Sequence, residues 1–314
     1  MNGTTAEDKV ARNDTGVPDY RPTAYMERTR AWYLALGYGN PYQWAHYDDV
    51  PFTPLRKPLS DCTVGLITTA APFRADKGDQ GPGAPYNAEA KFYSVYSGDT
   101  AADHDLRIAH VAIDRKHTRM ADSNTWFPLP MLRRFAREGR IGKLAARFHG
   151  APTNRSQRHT LDVDCPELIA RCREDGVDAV ILVANCPVCH QTLSLAARAL
   201  EAAGIATVLM ACAKDIPEHC GVPRLLFSDF PLGNAAGKPH DSESQRQTLE
   251  LALRVLESAP CARTTVQSPQ RWSASHDWKL DYSNPERVSA EELARRREEF
   301  DRGKTQAQEL RAAT

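Results

Sequence analysis

Apolar positions along this chain fall into two alternating kinds of segment. Short runs rich in β-branched residues predict strands at Cys62–Ala70, Asp178–Ala184, Ile205–Met210 and Arg224–Phe227. Their length and near-continuous apolarity suit strands buried on both faces. Around them, spacings of three and four predict helices over Tyr20–Gly37, Leu129–Gly139, Thr192–Ala203 and Ser242–Ser258. Another runs from Asp164, as its cap, to about Glu174, with Pro166 in the first turn and Gly176 past the end. Helix and strand alternating at this spacing predict an α/β fold. Its core is a doubly wound parallel sheet, flavodoxin-like or Rossmann-like, with helices on both faces.

Three parts follow from this pattern. Residues 1–60 form an extended, aromatic-rich N-terminal segment, whose stretch Tyr42–Phe52 is read as wrapping the main domain rather than lining a pocket. Residues 61–262 carry the α/β domain, within which 74–125 is a long aperiodic insertion or lid. From 263 to 314 the chain is polar. There Ser289 and Glu292 spell a capping box before a charged surface or interface helix, Glu291–Phe300, fraying at Arg311–Thr314.

The 314 residues carry 40 Lys+Arg against 40 Asp+Glu. A net charge of zero with no dense basic stripe argues against a nucleic-acid partner. The longest apolar runs fall well short of the roughly 20 residues of a membrane span. Met1–Asp14 lacks the apolar stretch of a signal peptide, which predicts a cytoplasmic protein. In that setting the eight cysteines read as reduced thiols, ligands or nucleophiles rather than a disulfide framework. A homodimer is expected on general grounds.

Asn185-Cys186-Pro187-Val188-Cys189-His190-Gln191 joins a buried strand to a helix start. In open α/β sheets ligands bind at the carboxyl ends of strands, so this turn stands at the functional edge. The helix N-terminus, and His190 as imidazolium, would lower the Cys186 pKa and make it a nucleophile, with Cys189 as resolving thiol. Three other readings stay open. The Cys-x-x-Cys-His pattern attaches c-type haem in other proteins. Cys186, Cys189 and His190 with a distant fourth ligand would hold zinc. Two buried thiols can also be plain packing.

A second cluster, His110, Asp114 and His117, offers general acid–base groups or further ligands. On the substrate side we place His46, Arg107, Asn185, Lys214 and Gly233, the last in a loop whose glycines permit close backbone approach.

The chain resembles the selenoprotein subunits of glycine/sarcosine/betaine reductase component B and D-proline reductase, and more closely their stand-alone bacterial relatives. The resemblance covers most of 20–260. It rests on Trp44–Phe52, Phe127-Pro128-Leu129, Gly176–Val180, Cys186–Gln191 and Phe230-Pro231-Leu232-Gly233. It implies that Cys186 stands at the selenocysteine position and attacks carbon in a small amino-acid-derived substrate, cleaving a carbon–heteroatom bond, C–N as in the reductases or C–S, reductively. A dithiol then serves as reductant. In the reductases a separate subunit carries the pyruvoyl group that activates the substrate, and this chain shows no sign of supplying one. The alternative is redox-neutral. Cys186 attacks a thiocarbonyl heterocycle, sulfide leaves, and water activated by His110, His117 or Asp114, metal-assisted or not, releases the product. A metal- or redox-sensing protein is the non-catalytic reading.

Overall fold

The computed structural model describes residues 21–39, 42–108 and 110–312. In chain order its regular elements begin with α1 (Tyr25–Ala35), β1 (Thr63–Thr68), β2 (Ala71–Pro72), β3 (Tyr96–Asp99) and β4 (Leu106–Arg107). They continue with α2 (Leu129–Arg137), β5 (Lys143–Leu144), β6 (Arg147–Gly150), α3 (Gln157–His159), α4 (Cys165–Glu174) and β7 (Ala179–Val183). The last are α5 (Pro187–Ala202), β8 (Ala206–Ala211), α6 (Asp215–Cys220), β9 (Arg224–Phe227), α7 (Ser242–Ser258), β10 (Thr264–Gln267) and α8 (Ala290–Ala312).

The main sheet runs β10-β9-β8-β7-β1-β6-β3, with β5 also paired to β1 and only β3 antiparallel. Alternate residues of each central strand enter different cores. Val64, Leu66, Ile181, Val183, Val208 and Met210 face α2 and α7. Ile67, Val180, Leu182, Leu209 and Phe227 face α4 and α5. This two-sided burial is why the strands read as unbroken apolar runs, and it makes the sheet doubly wound.

The strand order creates a switch point. From β1 the chain moves outward to β6, then returns across β1 to β7 and continues through β8 and β9 the other way. The carboxyl ends of β1 and β7 are paired neighbours, Thr68 opposite Val183. A crevice for ligands opens where connections diverge in this way.

Several predicted boundaries move. Asp164 has helical backbone and no capping bond; Ser156 caps instead, accepting the His159 amide at 3.2 Å. A wide turn, Thr160–Asp164, joins α3 to α4. Pro166, which cannot donate to a carbonyl four residues back, accounts for that bulge. Helix α5 begins five residues before Thr192, because the Cys186 thiol is its cap and Pro187 its first residue. The polar tail supplies an edge strand, β10, parallel to β9. Helix α8 extends to Ala312, and its Phe300 packs edge-on against Tyr33 and Tyr38. The Ser289 cap is present, Oγ accepting the Glu292 amide at 3.1 Å. Met1–Tyr20 and the last two residues of the expected fray lie outside the described residues. No helix among the described residues is long and apolar enough to cross a membrane.

The N-terminal segment packs on α5 and β9. The Ala45 amide donates to Gln191 Oε1 at 2.8 Å, the Tyr47 ring lies 4.1 Å from the Arg198 guanidinium, and Phe52 lies 4.1 Å from that of Arg224.

Candidate active site at the carboxyl edge of the sheet

Cys186 follows β7 directly and caps α5 from an extended conformation (φ −104°, ψ 169°). Its Sγ accepts the Cys189 amide at 3.3 Å and lies 2.7 Å from Cys189 Sγ. Both thiols are buried and free. Burial opposes ionisation of Cys186, but the Cys189 thiol and amide and the positive charges of Arg155 and Lys91 outweigh it, so its pKa lies below the ordinary thiol value. Cys189 moves the other way. Burial and the neighbouring Cys186 sulfur push it well up. The pair is therefore polarised: an acidic thiol at the cap position and a proton-holding thiol one helical turn on.

His190 has a different role from the one its position suggested. Its Nδ1 lies 2.7 Å from the Cys186 carbonyl oxygen, which fixes the proton there. Its Nε2 accepts the amides of Cys212 and Ala213, both at 3.1 Å. Burial holds its pKa down at about 4 although the carbonyl bond favours the cation. Both ring nitrogens are occupied by backbone. The ring is a neutral brace between the α5 start and the end of β8, with no lone pair left for a metal and no charge to lend a thiol.

The imidazole that does reach the thiols is His110, from the 74–125 insertion. One nitrogen of its ring and the two sulfurs lie within 4.8 Å of one another. The ring is hydrogen-bonded to the Thr69 backbone, and burial with the charges of Lys91 and Arg115 holds its pKa at about 3. Its Nδ1 is buried without a hydrogen-bond partner among the described residues. Asn185 completes the floor, donating from Nδ2 to Thr69 Oγ1 at 2.9 Å.

The other predicted residues make contacts of their own. His117 Nε2 is 2.9 Å from Asp281 Oδ2, and Asp114 is buried, its Oδ1 accepting the His117 amide at 3.2 Å. Burial raises the Asp114 pKa. His46 is exposed, its ring 4.6 Å from that of His219. Arg107 is paired with Asp105. Lys214 lies 3.9 Å from Glu218 within one helical turn. Gly233 (φ +106°) gives way to Met120: a Cβ would come 2.4 Å from its sulfur. Residues not anticipated are Thr69, Arg155, Lys91, Arg115 and Tyr42, whose hydroxyl accepts from Gln191 Nε2 at 2.7 Å. Thr69 and Arg155 follow β1 and β6, so only the strand order shows them to be near Cys186.

Residues 37–185 match the family of glycine/sarcosine/betaine reductase selenoprotein B, the match ending one residue before Cys186. The D-proline reductase subunit gamma of Acetoanaerobium sticklandii is 32% identical over 228 residues, 71% of this chain and 90% of that one. The chain belongs to this reductase family. It is also 28% identical over 217 residues to the glycine reductase complex component B subunit gamma of Carboxydothermus hydrogenoformans, 67% of this chain. The sarcosine reductase complex component B subunit beta of Peptoclostridium acidaminophilum is 25% identical over 233 residues, 72% of this chain. The chain spans 49% and 52% of the lengths of these two relatives. No solved structure matches significantly. The relatives' names are those of subunits and complex components from oxidoreductases of amino acids and their derivatives.

Proposed function

We propose that this chain is the thiol-bearing subunit of a system that reductively cleaves a carbon–nitrogen bond, with Cys186 where selenoprotein relatives carry selenocysteine. The polarised Cys186–Cys189 pair at the switch point carries the reading. The Cys186 thiolate attacks the substrate carbon. A C–S bond forms as the C–N bond breaks, and the amine leaves with a proton. Cys189, deprotonated in its turn, attacks the Cys186 sulfur. The C–S bond breaks, and the carbon takes the electron pair and a proton while the two thiols become a disulfide. An external dithiol restores them, supplying two electrons and two protons per turnover. The substrate is a small amino-acid derivative whose adjacent carbonyl stabilises the carbon as its C–S bond breaks.

A protein partner activates the substrate's amino group, in keeping with relatives named as subunits of complexes. Dithiol chemistry and free cysteines suit a reducing compartment, so we assign the cytoplasm. The redox-neutral route is the second reading: of its three water-activating candidates His110 lies at the thiols, while Asp114 accepts the His117 amide and the His117 ring meets Asp281.

The test uses the native complex, assayed for amine release from glycine, sarcosine, betaine and D-proline with and without a dithiol. The wild-type complex turns over only with the dithiol, Cys186→Ser abolishes turnover, and Cys189→Ser accumulates a thioether on Cys186 detectable by mass. Full activity in Cys186→Ser, or turnover without dithiol, would overturn the proposal.

A further inference from the structure

We propose that Cys186, Cys189 and His110 form a binding site for a thiophilic divalent cation such as zinc, which masks the thiol pair. The three donors come from two separate segments, the strand–helix turn and the insertion, and their ligand atoms already lie within 4.8 Å of one another. Zinc holds sulfur at roughly 2.3 Å and imidazole nitrogen at roughly 2.0 Å, so such atoms close on one ion with shifts of about an ångström. The sulfurs, 2.7 Å apart, would part toward the about 3.8 Å of a tetrahedral pair.

The His110 ring has a nitrogen to spare. Metal-bound histidines typically donate their other N–H to a carbonyl or carboxylate. Here the ring is bonded to the Thr69 backbone while Nδ1 is buried and unpartnered among the described residues. A buried polar atom in that state calls for an occupant. Each thiol releases its proton to solvent on binding, and two thiolates neutralise the ion's charge. Three protein ligands leave a fourth position for water, unlike the four-ligand closure of a structural site.

As regulation, this rests on reading Cys186 as the reactive thiol; the binding itself does not. The test is calorimetric titration of the reduced, metal-free chain with zinc, and with cobalt for its thiolate charge-transfer absorption. One ion per chain is expected, with Cys186, reactive in the metal-free protein, protected from alkylation. His110→Ala should weaken binding by at least the ~10–100-fold that losing an outer-shell partner costs, and Cys189→Ser should do the same if that variant misfolds. No binding, or affinity unchanged in both variants, overturns the site. Zinc binding by a protein whose metal-free Cys186 resists alkylation would keep the site and remove the nucleophile.

Discussion

Replacing His190 with alanine separates a bracing histidine from a catalytic one. In the wild type its Nε2 is the acceptor for two buried amides, Cys212 and Ala213, and its Nδ1–H meets the Cys186 carbonyl. Alanine leaves two donors without a partner at about 1–3 kcal/mol each, or roughly 2–6 kcal/mol in all. That is a large share of the about 5–15 kcal/mol by which domains are stable. The pH dependence has a definite sign. The folded pKa, about 4, lies below the ordinary 6.5, so between these values the unfolded chain binds more protons. Stability therefore falls as pH drops through that window, by about 3 kcal/mol from this one group. Urea denaturation at pH 8 and pH 5 should show a lower midpoint for His190→Ala, with a smaller loss on acidification than the wild type. An unchanged midpoint together with a Cys186 alkylation profile that loses a step near pH 6.5 would refute the brace and restore the imidazolium.

Other substitutions test the rest of the site and the fold. Cys189→Ala removes the thiol that stabilises the Cys186 thiolate and should raise the Cys186 pKa, read from the pH dependence of alkylation. Asp164 is buried with neither oxygen hydrogen-bonded among the described residues, Oδ1 lying 3.5 Å from His159 Nε2, and burial raises its pKa to about 7. The folded state binds the extra proton between pH 3.8 and 7, so stability falls as pH rises through that range. Asp164→Asn should accordingly gain stability relative to wild type above pH 7 and gain little near pH 4 in thermal melts. The fully buried Arg224–Glu201 pair, 2.6 Å apart, fixes β9 to the α5 terminus. Arg224→Met leaves a buried carboxylate and should cost about 3–5 kcal/mol in urea unfolding.

What could be read before the structure follows from how local each signal is. The four strands of the parallel core carry their own apolar runs, and their ends fall within about two residues of expectation. Arg147–Gly150, Tyr96–Asp99 and Thr264–Gln267 are short and partly polar, and pairing with neighbours makes them strands. The thiol pair was legible because two residues separate its members in sequence. The role of His190 was not, because its partners lie 22 and 23 residues away across an adjacent strand. His110, His117 and Asp114 share one dense stretch, and only the folded insertion separates the ring that meets the sulfurs from His117, which turns to Asp281, and Asp114, which accepts the His117 amide.

Site-resolved alkylation addresses the polarised pair most directly. Reduced protein carrying Cys261→Ser, which removes the exposed thiol, is reacted with iodoacetamide across pH 5–10 and mapped by mass spectrometry. Cys186 should react first, with an apparent pKa below the about 8.5 of a free thiol, while Cys189 stays unmodified. Equal labelling of both thiols, or a Cys186 pKa at or above the free value, would contradict the assignment of Cys186 as the nucleophile.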